Sequence, residues 1–287
     1  MSNVQKIMIA AASVMVVIAA VMLFKTLREY KVANDEYADL DKFVTAGQTT
    51  MQTPPAAEGE SAPSSEQDAD GEEEAEIPKF THNANRGDFP DMGIDFASLK
   101  AINPEVVAWV YAGSVDISYP VVQRRSDHEN EYYLHHTLED KENSSGCIFM
   151  DWESEPDLSS WNTILYGHNM KNGSMFGSLK KLIANHKLFD KDPYIYIFKE
   201  DGIYRYKIYA FYLDTPESKM YYTCKTLKEY RAYVRTAREY SVYDTETPAN
   251  EEKNTVTLVT CSGSGAGKKR FFVHGISWDC YLYDRAQ

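Results

Sequence analysis

The hydrophobic positions of this chain fall into three successive textures. The first is an uninterrupted run of 18 apolar or small residues, Ile7 to Phe24. That is close to the ~20 residues a membrane-spanning helix needs. A cleaved signal peptide usually has a shorter apolar core of ~7–15 residues and a small-residue cleavage site. No such site follows Leu23-Phe24-Lys25, so the pattern predicts a short tail over residues 1–6 and an uncleaved anchor over 7–24. In residues 25–45, Tyr30, Ala33, Tyr37, Leu40 and Val44 recur at spacings of three and four, the signature of a helix with one apolar face. This juxtamembrane stalk could lay its stripe on lipid headgroups, on the domain that follows, or on a second copy.

The second texture, residues 46–79, has hardly an apolar side chain. Pro54-Pro55, Ser64-Ser65 and an acidic run mark it as a solvated linker without enough apolar surface to fold.

The third, residues 80–287, is globular. Short β-branched and aromatic runs predict strands at Val107–Tyr111, Ile117–Gln123, Gly146–Met150, Thr163–Tyr166, Tyr194–Phe198, Ile203–Leu213, Thr255–Thr260 and Phe271–Ser277. Gly, Asp, Asn and Pro turns between them suggest an antiparallel barrel or sandwich. Helices are expected over Asp95–Ile102, after Asn103-Pro104, over Ser174–Asn185, and from the capping box Thr226-Leu-Lys-Glu229 through Ala237. The fold class is therefore mainly β with inserted helices, about eight strands behind N-terminal helices and an anchor.

Charge refines this picture little. The formal net charge is −13, but nine acids lie within residues 58–76 with no Lys or Arg among them, leaving −4 for the rest. A nucleic-acid partner would need a basic face, and none is visible. The four cysteines, 147, 224, 261 and 280, are widely spaced without a C-x-x-C pair, which argues against a zinc ribbon or a disulfide framework. No metal and no cofactor is expected.

Chemistry concentrates near the end, in Thr257-Leu-Val-Thr-Cys-Ser-Gly-Ser-Gly-Ala-Gly-Lys-Lys-Arg270. Cys261 stands where one strand gives way to a Gly/Ser loop, and Arg270 where the next begins. Lone cysteines are commonly small buried hydrophobes. A thiol at a strand end beside positive charge is instead suited to nucleophilic work. Leu165-Tyr-Gly-His168-Asn-Met170 offers a proton carrier at the end of another apolar run. The loop superficially resembles a phosphate-binding loop, but the glycine spacing fails and a strand follows. Cys147 and Cys280 read as core, Cys224 as a candidate exposed thiol, and His82, His128, His186 and His274 as structural.

Together Thr-Leu-Val-Thr-Cys261, Arg270 and Tyr-Gly-His168-Asn-Met resemble the active site of sortases, cysteine transpeptidases of Gram-positive surfaces. Ile117-Ser-Tyr-Pro-Val-Val-Gln123, Asn130-Glu-Tyr-Tyr-Leu134 and Gly146-Cys-Ile-Phe-Met-Asp151 are similar to class B blocks in their order, and the likeness spans about residues 93 to 280. The resemblance implies that Cys261 attacks a carboxy-terminal sorting signal of the Asn-Pro-x-Thr kind after its Thr. It implies that His168 moves protons, that Arg270 stabilises the carbonyl oxygen, and that Asn130, Leu134, Val259 and Thr260 line the substrate groove. The implied acceptor is a peptidoglycan amine or a pilin lysine, and the implied partners are surface proteins carrying the signal. It also implies an extracellular catalytic domain, whereas Lys25, Arg28 and Lys31 after the apolar run favour the opposite orientation on charge alone. A hydrolytic cysteine protease, a pilin polymerase and an anchored binding module remain open as alternatives.

Overall fold

The computed structural model describes residues 2–45, 80, 84–126, 128, 130–249, 251–261 and 269–283. Helix α1 (Asn3–Ala38) opens on a capping box, in which Gln5 N donates to Ser2 Oγ and Ser2 N donates to Gln5 Oε1. It carries the whole apolar run, exposed, and among the described residues it is the one helix long and apolar enough to cross a membrane.

The same helix continues unbroken to Ala38 and meets the domain. Tyr30 and Tyr37 pack against one apolar cluster, while Leu40 and Phe43, just beyond the helix, are buried with Phe89, Met92, Phe96 and Leu99 in another. Strand β1 (Val44–Thr45) then pairs antiparallel with β2 (Gly93–Ile94). The stalk stripe therefore meets the domain, the physical outcome of a row of apolar side chains beside an apolar wall. The acidic run lies outside the described residues. Beyond it, Phe80 sets its ring edge against Tyr204 and Tyr206, with centroids 5.0 and 5.1 Å away.

Helix α2 (Phe96–Ile102) is capped by Asp95, whose Oδ1 accepts from Ser98 N at 3.0 Å. No helix follows Asn103-Pro104. Asn103 Oδ1 instead accepts from Glu105 N at 2.9 Å, and its amide reaches Tyr133 Oη and Leu138 O, so this residue turns the chain into a strand.

All eight expected strands are present: β3 (Val106–Ala112), β4 (Ile117–Val122), β5 (Ile148–Met150), β6 (Asn162–His168), β7 (Tyr194–Lys199), β8 (Gly202–Asp214), β9 (Thr255–Cys261) and β10 (Arg270–Leu282). They close into a barrel in the order β10-β8-β7-β3-β4-β5-β6-β9. The barrel is mixed rather than antiparallel, because β4 pairs parallel with β5 and β6 parallel with β9. Both parallel joins follow long connections, as a parallel pair requires.

Alternate residues of the strands serve two cores. On β3, Ala108, Val110 and Ala112 enter one and Trp109 the other; on β6, Leu165 enters one and Ile164 and Tyr166 the other. Helices cover the faces that water would otherwise reach. The expected helix at 174–185 is a 3-10 turn (Phe176–Leu179) running into α3 (Lys180–Ala184), followed by α4 (Lys187–Lys191). Leu182 and Phe189 bury their side chains against the barrel. Helix α5 (Leu227–Tyr240) begins at its expected capping box and buries Tyr230, Tyr233, Val234 and Ala237.

A polar chain crosses the core under α5. Tyr233 Oη lies 2.8 Å from Thr257 Oγ1, which lies 3.0 Å from His274 Nδ1, while His274 Nε2 lies 3.0 Å from Tyr212 Oη. Complete burial pushes the His274 pKa down to about 3, so the ring is neutral.

Candidate active site

Strands β6 and β9 bring two distant segments into register. Tyr166 pairs with Val259, Gly167 with Thr260, and His168 with Cys261. Strand β10 returns along β9 with Phe272 opposite Val259. Arg270, two residues before Phe272, is thus level with Cys261, two residues after Val259. Phe271 N donates to Thr260 Oγ1 at 2.9 Å beside this point. Three adjacent strands therefore present Cys, His and Arg at one end of the barrel, and rigid strands hold such a constellation better than loops.

The local sequence explains the placement of His168. A Cβ added at Gly167 would lie 2.4 Å from Ile148 Cδ1 and 2.7 Å from Phe176 Cγ, so only glycine lets the chain lie this close to its neighbours. The half-buried ring sets Nε2 2.7 Å from Leu134 O. A carbonyl can only accept, so Nε2 carries the proton and Nδ1 of the neutral ring is the acceptor. Burial holds the imidazole below its ordinary range; the Leu134 carbonyl opposes this, and His135 and Arg270 reinforce it.

Arg270 is fixed by a residue that the sequence does not single out. Its Nε donates to Tyr221 Oη at 3.0 Å, and the Tyr221 ring packs on Tyr166 and Phe272. Nη1 is buried with no hydrogen-bond partner among the described residues. An oriented, permanently charged donor of this kind suits a developing oxyanion. Tyr221 stands in a different segment from Arg270, and no local pattern marks the pair.

The other expected site residues divide into two groups. Leu134 ends the 3-10 turn Tyr132–Leu134 and meets the site through its carbonyl. Asn130 lies in the same wall, but its amide is engaged: Nδ2 donates to Asp151 Oδ2 at 2.8 Å, and Oδ1 accepts from Trp152 N at 3.0 Å. Tyr166 Oη donates to the same Asp151 oxygen at 2.9 Å. Val259 and Thr260 stand apart, with relative exposures of 0% and 1%. Alternation along β9 turns Val259 into the core, and the Thr260 hydroxyl is held by Phe271 N, so both form structure behind the site.

The remaining thiols are inert by burial. Burial pushes Cys147 and Cys224 up to about 12 and Cys280 to about 11, correcting the reading of Cys224 as exposed. Cys261 is the cysteine at a strand terminus. The loop at 262–268, with its glycines and Lys268, lies outside the described residues.

A closed eight-stranded mixed barrel with Cys, His and Arg at one rim is a sortase-type arrangement. The family model for the sortase domain matches residues 110–277, and the chain belongs to that family. Within it, the chain is a class B sortase. It is 29% identical over 170 residues to Sortase B of Listeria monocytogenes, covering 58% of this chain and 67% of that protein. The Sortase B of Staphylococcus aureus is 27% identical over 167 residues, again covering 58% and 67%. Among solved structures, the Staphylococcus aureus sortase B–substrate complex matches with a TM-score of 0.59 and 26% identity, covering 64% of this chain and 84% of that one. The Clostridium perfringens sortase B matches with a TM-score of 0.58 and 28% identity, covering 64% and 100%.

Proposed function

We propose that this chain is a membrane-anchored cysteine transpeptidase acting on surface proteins. The register that pairs His168 with Cys261 and sets Arg270 level with them carries this reading. In the first half-reaction the Cys261 thiol passes its proton to His168 Nδ1 as its sulfur attacks the carbonyl carbon of Thr in an Asn-Pro-x-Thr signal. Arg270 Nη1 donates to the resulting oxyanion. As the tetrahedral centre collapses, the C–N bond breaks and His168 gives the proton to the departing amine, leaving a thioester on Cys261. An acceptor amine then attacks the thioester, loses a proton to Nδ1, and releases the thiol as the new amide forms.

A neutral, half-buried imidazole with Nδ1 as acceptor supports this order of proton transfers. Asn130 and Leu134 contribute the wall against which the peptide lies. Solved sortase B structures include one with substrate and one with a triglycine peptide, in keeping with a peptide donor and an amine acceptor. By the same reading the acceptor here is a peptidoglycan amine, helix α1 over residues 7–24 is the anchor, and the barrel stands outside the membrane.

The test uses the full chain in detergent with an Asn-Pro-x-Thr peptide library, with and without triglycine or a lysine peptide. Mass spectrometry should find an acyl product joined to the amine, lost in Cys261→Ala. Cleavage indifferent to added amine would instead define a hydrolase, and transfer to lysine alone would point to a pilin acceptor.

A further inference from the structure

Helix α1 lies along the domain at its far end. Ser144 Oγ donates to Glu29 Oε2 at 2.8 Å, Asn143 Nδ2 to Glu29 O at 3.2 Å, and Glu139 N to Glu36 Oε1 at 3.2 Å. Tyr37 makes the deepest contact. Its ring stands edge-on to Tyr119 with centroids 5.7 Å apart, and its hydroxyl donates to Gly146 O at 2.5 Å while lying 3.4 Å from Cys147 Sγ.

What Tyr37 touches leads to the site. Gly146 adopts φ +55, and a Cβ there would lie 2.3 Å from Tyr133 O and 2.8 Å from Leu134 O. Only glycine can be pressed so closely against that backbone. Cys147 N donates to Tyr133 O at 2.9 Å, tying the same two stretches again. Leu134 O is the atom that holds His168 Nε2 at 2.7 Å. The chain of links is the Tyr37 hydroxyl on Gly146 O, the close approach of the Gly146 backbone to Tyr133 and Leu134, and Leu134 O on His168 Nε2. The wall between β4 and β5 is a long connection that holds, among the described residues, the 3-10 turn Tyr132–Leu134, the kind of segment that opens locally unless braced. Helix α1 supplies the brace from outside.

We infer that Tyr37 is a positioning residue for His168, so that the docked end of the N-terminal helix forms part of the support of the active site. This rests on His168 being the proton carrier. The hydroxyl fixes Gly146, Gly146 fixes the Leu134 carbonyl, and the carbonyl fixes the tautomer and direction of the ring. The other charged groups bearing on the ring are His135 and Arg270, and Cys261 holds the register position opposite His168 on β9.

The test compares the full chain with Tyr37→Phe in detergent, which keeps the ring against Tyr119 and removes the hydroxyl. Transfer of an Asn-Pro-x-Thr peptide to triglycine should show kcat falling about 5- to 20-fold with KM nearly unchanged. The His168 imidazole, titrated by NMR, should move to lower pH, because a slackened Leu134 carbonyl favours the charged ring less. Glu29→Ala, which loosens the helix without touching the core, should move the titration the same way by less. Leu182→Ala, a core change on α3 with no hydrogen bond to the Leu134 carbonyl, should lower Tm and leave the His168 titration in place. A Tyr37→Phe chain with wild-type kcat and wild-type titration overturns the inference, whatever its Tm. If the wild-type chain transfers no peptide, the transpeptidase reading fails, and the titrations alone decide the coupling.

Discussion

Arg270 Nε donates to the hydroxyl of Tyr221 at 3.0 Å, and the Tyr221 ring lies against Tyr166 and Phe272. One hydrogen bond thus aims a guanidinium whose Nη1 has no other partner among the described residues. Tyr221→Phe keeps the aromatic packing and frees the guanidinium. We expect kcat for peptide transfer to fall about tenfold with Tm close to wild type, since an oxyanion donor is weakened but not removed. Steady-state kinetics beside a thermal melt checks both. An unchanged kcat would mean that the strand alone orients Arg270.

Gly167→Ala should damage both fold and site. The new methyl would overlap Ile148 and Phe176, which are buried and have little room to yield. A cost of about 1–3 kcal/mol is typical of such overpacking, and His168 would be pushed from its place beside Cys261. Denaturant unfolding and the transfer assay should show the two losses together.

The pH dependence of kcat/KM should report a depressed imidazole. Lowering the His168 pKa keeps the ring neutral, and so able to accept a proton, to more acid pH than a free histidine. The acid limb of kcat/KM should therefore fall below about 6.5, the ordinary imidazole value. A limb at or above that value would show that burial does not govern the ring in the working enzyme.

Acid should destabilise the domain through His274. Its folded pKa is about 3 against the ordinary 6.5. The unfolded chain therefore takes up a proton first as pH falls. This contribution to stability is complete above about 6.5, declines by up to about 1.4 kcal/mol per pH unit, and levels off below the folded value. Urea unfolding of wild type and His274→Gln between pH 7.5 and 5 should show a steeper decline in wild type.

What the sequence discloses and what it withholds have physical causes. Strands announce themselves through local alternation and β-branched runs, so all eight are legible, although β10 runs on to Leu282, five residues past its expected end. The three residues proposed for the site, Cys261, His168 and Arg270, can be picked out because each stands where an apolar run meets a loop, and the strand register brings them level. Partnership across the fold leaves no such mark. The parallel joins, the hold of Tyr221 on Arg270 and the engagement of the Asn130 amide by Asp151 and Trp152 depend on segments far apart in the chain. Val259 and Thr260 read as groove residues yet lie buried, because motif adjacency says nothing about which way a strand residue turns. The stripe through Tyr37, Leu40 and Val44 is visible in the sequence, but the wall it finds is not.

The attachments on either side of residues 46–79 carry a practical consequence. The chain is fastened to the domain through Val44–Thr45 against β2, and again where Phe80 meets Tyr204 and Tyr206. A stretch closed at both ends on one body adds only loop-closure entropy when lengthened, about 0.6 kcal/mol per doubling. An affinity tag inserted between Thr45 and Phe80 is therefore expected to leave the contacts of α1 with the barrel in place, which the Tm of the tagged chain would check. For the same reason, differences in its length between related chains carry no information about how far the catalytic rim stands from the apolar half of α1.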